Sequence, residues 1–240
     1  MTDTTGTTCT ADTSAARAEI LARIRSSLGL RGGENSTLPA GETTAVPRSY
    51  RHTGDLAAGS DDLVDRLEDY DATVRRVADT DAAVADAVAS YLTDRGHGGD
   101  GNTVVAPADV DARWLGPFED AGGEVLQDST SAPVTVADLD RVDAVVTASF
   151  CSVAESGTIL LAGPDSGRRA TTLVPDHHVV VVKVADIVEL LPEAVTRLTD
   201  AGLHTSPVTM VAGPSASVDI ELVRVQGVHG PRTLDVVLAG

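Results

Sequence analysis

The sequence predicts an α/β fold, a mostly parallel sheet covered by helices and preceded by a helical N-terminal extension. Three observations carry this. Beyond Ser60, helical and strand patterns alternate. The strand candidates are apolar runs of about four to six residues, the form of strands covered on both faces. One run, His178–Val184, is nearly all valine. With 42% hydrophobic residues in 240, the chain can bury one sizeable core.

In order, Met1–Ala11 is Thr-rich and polar and reads as a disordered tail (residues 1–11). Residues 12–59 read as a helix and a long loop. Asp12, Thr13 or Ser14 can cap a helix whose Ala16, Ile20, Ile24 and Leu28 recur every fourth residue before Gly29. The stretch from Arg31 to Gly59 lacks either period. Residues 60–240 form the α/β domain, with helices at Asp61–Tyr70 and Asp79–Arg95, the second ended by Gly96. Ala72–Val77 and Thr103–Ala106 are strands, followed by a helix around Trp114–Gly122 and strands at Glu124–Leu126 and Asp143–Thr147. Gly157–Ala162 and Ala170–Val174 flank Gly163-Pro164-Asp165-Ser166-Gly167 and read as a hairpin. Asp186 starts a helix to about Ala201, with a kink or early break at Pro192. Pro207–Ala212, Val218–Val225 and Thr233–Leu238 close the chain as strands.

Composition narrows the function classes. Lys and Arg number 18 against 36 Asp and Glu, a net charge of −18, which argues against a broad grip on nucleic acid or anionic lipid. No apolar run approaches a membrane span, and the N-terminus lacks a basic n-region with an apolar h-region, so the expectation is a cytoplasmic protein. Cys9 and Cys151 are too few for an iron–sulfur cluster, and no metal-binding spacing is present, so no metal or cofactor is expected. Lys183 is the single lysine and aromatics are 2% of the chain. Codon bias of a high-GC genome favours such usage, but the excess of acids points to a halophilic surface kept hydrated in a salty cytoplasm.

Three loops place Gly and small polar residues beside strands: Glu155-Ser156-Gly157-Thr158, Gly213-Pro214-Ser215 with Asp219, and Gln226-Gly227-Val228-His229-Gly230-Pro231. Glycine lets the backbone approach a ligand and aim N–H groups at an anion, and in open α/β sheets ligands collect at the carboxyl ends of strands. Singly these are ordinary turns. In order, with Leu173-Val174-Pro175-Asp176-His177-His178, they resemble the LUD domain of lactate-utilisation proteins over roughly Ala15–Leu238. The chain is similar to the short C-type form without ferredoxin-like cysteine clusters.

The resemblance implies a fold like that of sugar-phosphate isomerases and CoA transferases. It also implies a subunit or accessory role in oxidation of L-lactate to pyruvate, with iron–sulfur subunits as partners. The alternative is a stand-alone transferase or isomerase acting on an acyl-CoA or sugar phosphate, in which Glu155 would carry an acyl group. Where the family follows Gly-Pro-Ser with a basic residue and Thr, this chain has Ala216 and Ser217, so Arg168, Arg169, Arg224 or Arg232 would have to supply the cation.

Glu155 and His229 are the catalytic candidates. His229 lies on a loop where a packing role is hard to arrange. Ser156, Gly157, Thr158, Gly213, Pro214, Ser215, Asp219, Gly227 and Gly230 are expected to hold a small anionic ligand, Asp219 by orienting its loop. Of the adjacent His177 and His178, which face opposite sides of a strand, one reaches the site, and His177 is the choice. Ser215 is not a nucleophile elbow, because residue 217 is Ser and not Gly. All three loops are expected on one rim.

Overall fold

The computed structural model describes residues 13–27, 49–54, 59–218, 224–227 and 229–240. The chain divides into two units, Met1–Tyr50 and Arg51–Gly240. In the first, α1 (Thr13–Ser27) matches the expected helix and carries an Arg23–Glu19 pair one turn apart. Ile20, Leu21 and Ile24 are exposed. The tail 1–11 and most of the expected loop 31–59 lie outside the described residues.

The second unit begins with α2 (Ser60–Asp69), β1 (Thr73–Val77) and α3 (Asp81–Asp94), capped where the Thr80 hydroxyl accepts from the Ala83 N–H. It continues through β2 (Thr103–Pro107), α4 (Gly116–Asp120), β3 (Glu124–Asp128), α5 (Val136–Leu139) and β4 (Ala144–Ala148). Then come β5 (Cys151–Val153), β6 (Thr158–Leu161), α6 (Arg169–Leu173), β7 (His177–Lys183) and β8 (Ile187–Val188). The chain closes with α7 (Leu191–Asp200), β9 (Thr209–Val211), β10 (Ala216–Val218), β11 (Arg224–Gln226) and β12 (Thr233–Ala239).

Six strands form an all-parallel sheet in the order β1-β12-β7-β4-β2-β3. A second sheet, β8-β5-β6-β9, is mixed, and β10 pairs with β11 as an antiparallel ribbon. The valine run of β7 is explained by its two faces. Val179 and Val181 pack with Val88, Leu92 and Phe118 of α3 and α4. Val180 and Val182 meet Leu63 and Leu67 of α2 and Ile159 and Leu161 of the second sheet. The second sheet's far face, including Cys151 and Leu160, is covered by Ala194 and Leu198 of α7. Burial pushes the Cys151 thiol up to about 11, so it is an inert packing group.

Four local expectations are corrected. Ala170–Val174 is not a strand: residues 169–173 form α6, and the hairpin partner of β6 is β5, through the turn at Ala154–Gly157. The Gly/Pro/Asp turn before it suggested a hairpin arm, yet the Thr171 hydroxyl donates to Asp128, 43 residues away, and the Thr172 hydroxyl to the Arg169 carbonyl. Tertiary anchoring overrides the local signal here. The helix expected from Asp186 begins only at Leu191, with Pro192 in its first turn, where a missing N–H costs nothing. The helix around Trp114–Gly122 is a 3₁₀ turn, Ala112–Trp114, and the five-residue α4. The expected strand Val218–Val225 is the ends of β10 and β11, with 219–223 outside the described residues.

Candidate functional site

The second and third loops meet. Ser215 is the clamp: its N–H donates to the Pro231 carbonyl (2.7 Å), its carbonyl accepts from the Gly227 N–H (2.8 Å), and its hydroxyl oxygen accepts from the His229 N–H (2.9 Å). The hydroxyl proton has no acceptor among the described residues and can be offered to a ligand. Gly213, Pro214, Ser215, His229, Gly230 and Pro231 line a cavity of about 180 Å³, floored by His178 and Leu234. Glycine at 213 is required, because φ is +127° and a Cβ there would lie 2.7 Å from that of Tyr70. Asp219 lies outside the described residues.

This cavity sits at the amino ends of β7 and β12, where Leu234 pairs with His178, and not at the carboxyl edge where ligand loops were expected. The two histidines do face opposite sides. His178 is the one that reaches the cavity; its Nε2 is 2.8 Å from the Thr147 hydroxyl. His177 points to the other face, with Nε2 2.9 Å from Asp235 and its ring 5.6 Å from that of His97. Strand alternation required one of each, but nothing local said which.

Burial, with help from the neighbouring His177, pushes the His178 imidazole down to about 3. The folded protein therefore keeps His178 neutral while the unfolded chain protonates it below its ordinary 6.5. More protons on the unfolded state mean that stability is lost as pH falls from 6.5 toward 3. Between pH 7 and 5 the wild type should lose about 2 kcal/mol more than His178→Gln, read from urea midpoints, since one pH unit is worth ~1.4 kcal/mol. Equal losses would show that His178 is not held neutral.

The first loop neighbours this cavity without lining it. Gly157, at φ +64°, turns β5 into β6, and a Cβ there would lie 2.6 Å from Cβ of Arg66 on α2. Tyr70, which Gly213 touches, directly follows that helix. Ile159 pairs with Val211, so Thr158 lies beside the exit of β9 that leads to Gly213. Its hydroxyl is 2.8 Å from that of Ser156. Glu155 is exposed, 3.5 Å from Arg51. Neither Glu155, Ser156 nor Thr158 lines the cavity.

None of the expected cations lines this cavity among the described side chains. Arg232 pairs with Asp176 at 3.5 Å, and the side chain of Arg224 lies outside the description. Arg168 and Arg169 line a larger cavity of about 470 Å³, one that the loop motifs did not signal. Among the described residues no group of three or more His, Cys, Asp or Glu is placed to hold a metal. No described helix is long and apolar enough to cross a membrane.

The LUD domain family model matches residues 60–239. Lactate utilization protein C of Deinococcus radiodurans is 40% identical over 177 residues, covering 73% of this chain and 77% of that protein. Lactate utilization protein C of Bacillus velezensis is 28% identical over 225 residues, 88% and 90% of the two chains. A crystal structure of a DUF162 family protein from Deinococcus radiodurans aligns with a TM-score of 0.57 at 32% identity, covering 75% of this chain and 95% of that one.

Proposed function

The chain belongs to the LUD domain family, and on that premise we propose that it serves L-lactate utilisation as a cytoplasmic subunit or accessory protein. The family resemblance implies iron–sulfur partners, and these carry the electrons from lactate in this reading; the two cysteines of this chain fall short of the four thiolates that a cluster takes. This chain holds a small carboxylate in the cavity of Ser215, His178 and His229. The observation that supports this reading best is the clamp at Ser215, which closes two motif loops onto one cavity and leaves a hydroxyl and an imidazole beside it. Glu155, which a transferase would need, is exposed and outside that lining, so the transferase alternative gains no support.

Complementation tests the reading. Cells lacking the gene should fail to grow on L-lactate as sole carbon source and recover with the wild-type copy. His229→Ala should restore little or none of that growth while the protein accumulates and melts normally, because the His229 side chain is exposed and bears no packing load. Unimpaired growth of the null strain would remove the lactate role. Full rescue by His229→Ala would remove the site.

A further inference from the structure

We propose that the larger cavity is a second binding site, for an amphipathic monoanion with a carboxylate head and an apolar body of about ten carbons, a size that suits a pocket in the ~300–1,000 Å³ range of small-molecule sites. The proposal is independent of the reading of the smaller cavity.

Position is the first argument. Chain order reverses between β2 and β4, since β3 lies outside β2 on one side and β4, β7 and β12 follow on the other. The crevice beyond the carboxyl ends of strands at such a reversal is the place where open α/β sheets bind ligands. The cavity occupies it: Asp109 follows β2, Asp128 ends β3, and the loop 163–167 is tied to the end of β4 through the Ser166 hydroxyl and the Ala148 carbonyl (2.8 Å).

Charge is the second. Arg168 is spent on structure: it grips Asp128 through Nε (2.9 Å) and a terminal nitrogen (2.5 Å) and donates to the Val134 carbonyl. Asp128 also accepts from Thr171 and from the Val134 N–H, so that pair is saturated. Arg169 is exposed at the cavity and its guanidinium has no hydrogen bond or ion pair among the described residues. One guanidinium without a partner among the described residues, in a cavity that Asp109 also lines and in a chain of charge −18, suits one negative charge and disfavours a polyphosphate.

Size and polarity are the third. The walls include Leu161, Leu203, Pro164 and Pro207, and about 470 Å³ is far more than a three-carbon acid fills. Thr172 and Thr209 line both cavities, so a long body entering at Arg169 extends toward the smaller one.

Decanoate, 1-decanol and L-lactate titrated into the isotopically labelled full chain at fixed KCl test this by amide shifts. Decanoate should move Gly163, Gly167, Thr172 and Ser206. Decanol should bind about tenfold more weakly, and lactate should leave these amides unmoved. Arg169→Gln should weaken decanoate by about tenfold, the effect of losing one charge-assisted hydrogen bond, and Asp109→Asn should strengthen it. Ser206→Trp, a change at an exposed rim position, should block it without unfolding. Shifts centred elsewhere, no binding below the micelle threshold, affinity unchanged in Arg169→Gln, or equal affinity for decanol would each overturn the proposal.

Discussion

Asp235→Ala is expected to destabilise the fold by about 3 kcal/mol, the lower end of the cost of breaking a buried ion pair by removing one partner. For a chain of this size that lowers the melting temperature by about 6–12 °C. Asp235 is fully buried on β12 and takes both Nε (3.0 Å) and a terminal nitrogen (2.8 Å) of Arg95, with Nε2 of His177 at 2.9 Å. Arg95 is partly exposed and regains some hydration when its partner is lost, which sets the lower end. His177 has no such recourse: it is buried and its Nδ1 is unpartnered among the described residues, so Asp235 receives its one side-chain hydrogen bond.

Burial alone would raise the Asp235 carboxyl, but hydrogen bonds from His177 and Arg95 and their charges hold it below the usual carboxylate range. Its folded pKa is therefore depressed, and the stability it contributes is present above the ordinary carboxylate pKa and lost as pH falls through the lower, folded value. The deficit of the alanine variant should be full at neutral pH and shrink in strong acid. Asp235→Asn keeps an acceptor and should fall between. An alanine variant melting within about 2 °C of wild type would show that the pair contributes little beyond its own desolvation.

What could be read from the sequence follows from how far apart the causes lie. The valines of β7 and Gly96 after α3 are local signals, and each matches its element, Gly96 with φ +84° where the helix ends. The two glycine loops around Ser215 were legible because motif order survives even when the sheet positions them at its amino edge. Helix α6 was not, since the Gly/Pro/Asp turn before it reads as a hairpin and the reason for helix is Asp128 on another strand. The larger cavity was invisible for the same reason. Its walls come from the ends of β2 and β3, the loop after β6 and the segment after α7, and no stretch of sequence contains two of its sides. The one trace was the doublet Arg168-Arg169, whose first member turned out to be structural and whose second has no partner among the described residues.

Raising KCl from 0.1 to 3 M should raise the melting temperature by about 10 °C, roughly 3 kcal/mol at the ~2–4 °C per kcal/mol of a chain this long. The net charge of −18 must be held on one folded surface. Part of it is visible on α2, where Asp62, Asp65, Glu68 and Asp69 surround the single Arg66. Salt shortens the reach of such repulsion from about 10 Å at 0.1 M to about 3 Å at 1 M. The same screening weakens favourable pairs, but those it reaches are exposed ones, such as Arg76–Asp61, Arg113–Asp81 and Arg141–Asp138, and exposed pairs contribute little. The buried Asp235 and Asp128 pairs are shielded from it. The repulsion that screening removes therefore outweighs the attraction it removes. Neutralising α2 with Asp62→Asn, Asp65→Asn, Glu68→Gln and Asp69→Asn should raise stability at 0.1 M KCl and flatten the salt response, separating charge screening from a general salting effect on apolar burial. A wild-type profile already flat would mean that the acidic surface is no adaptation to salt, leaving genome composition as its cause.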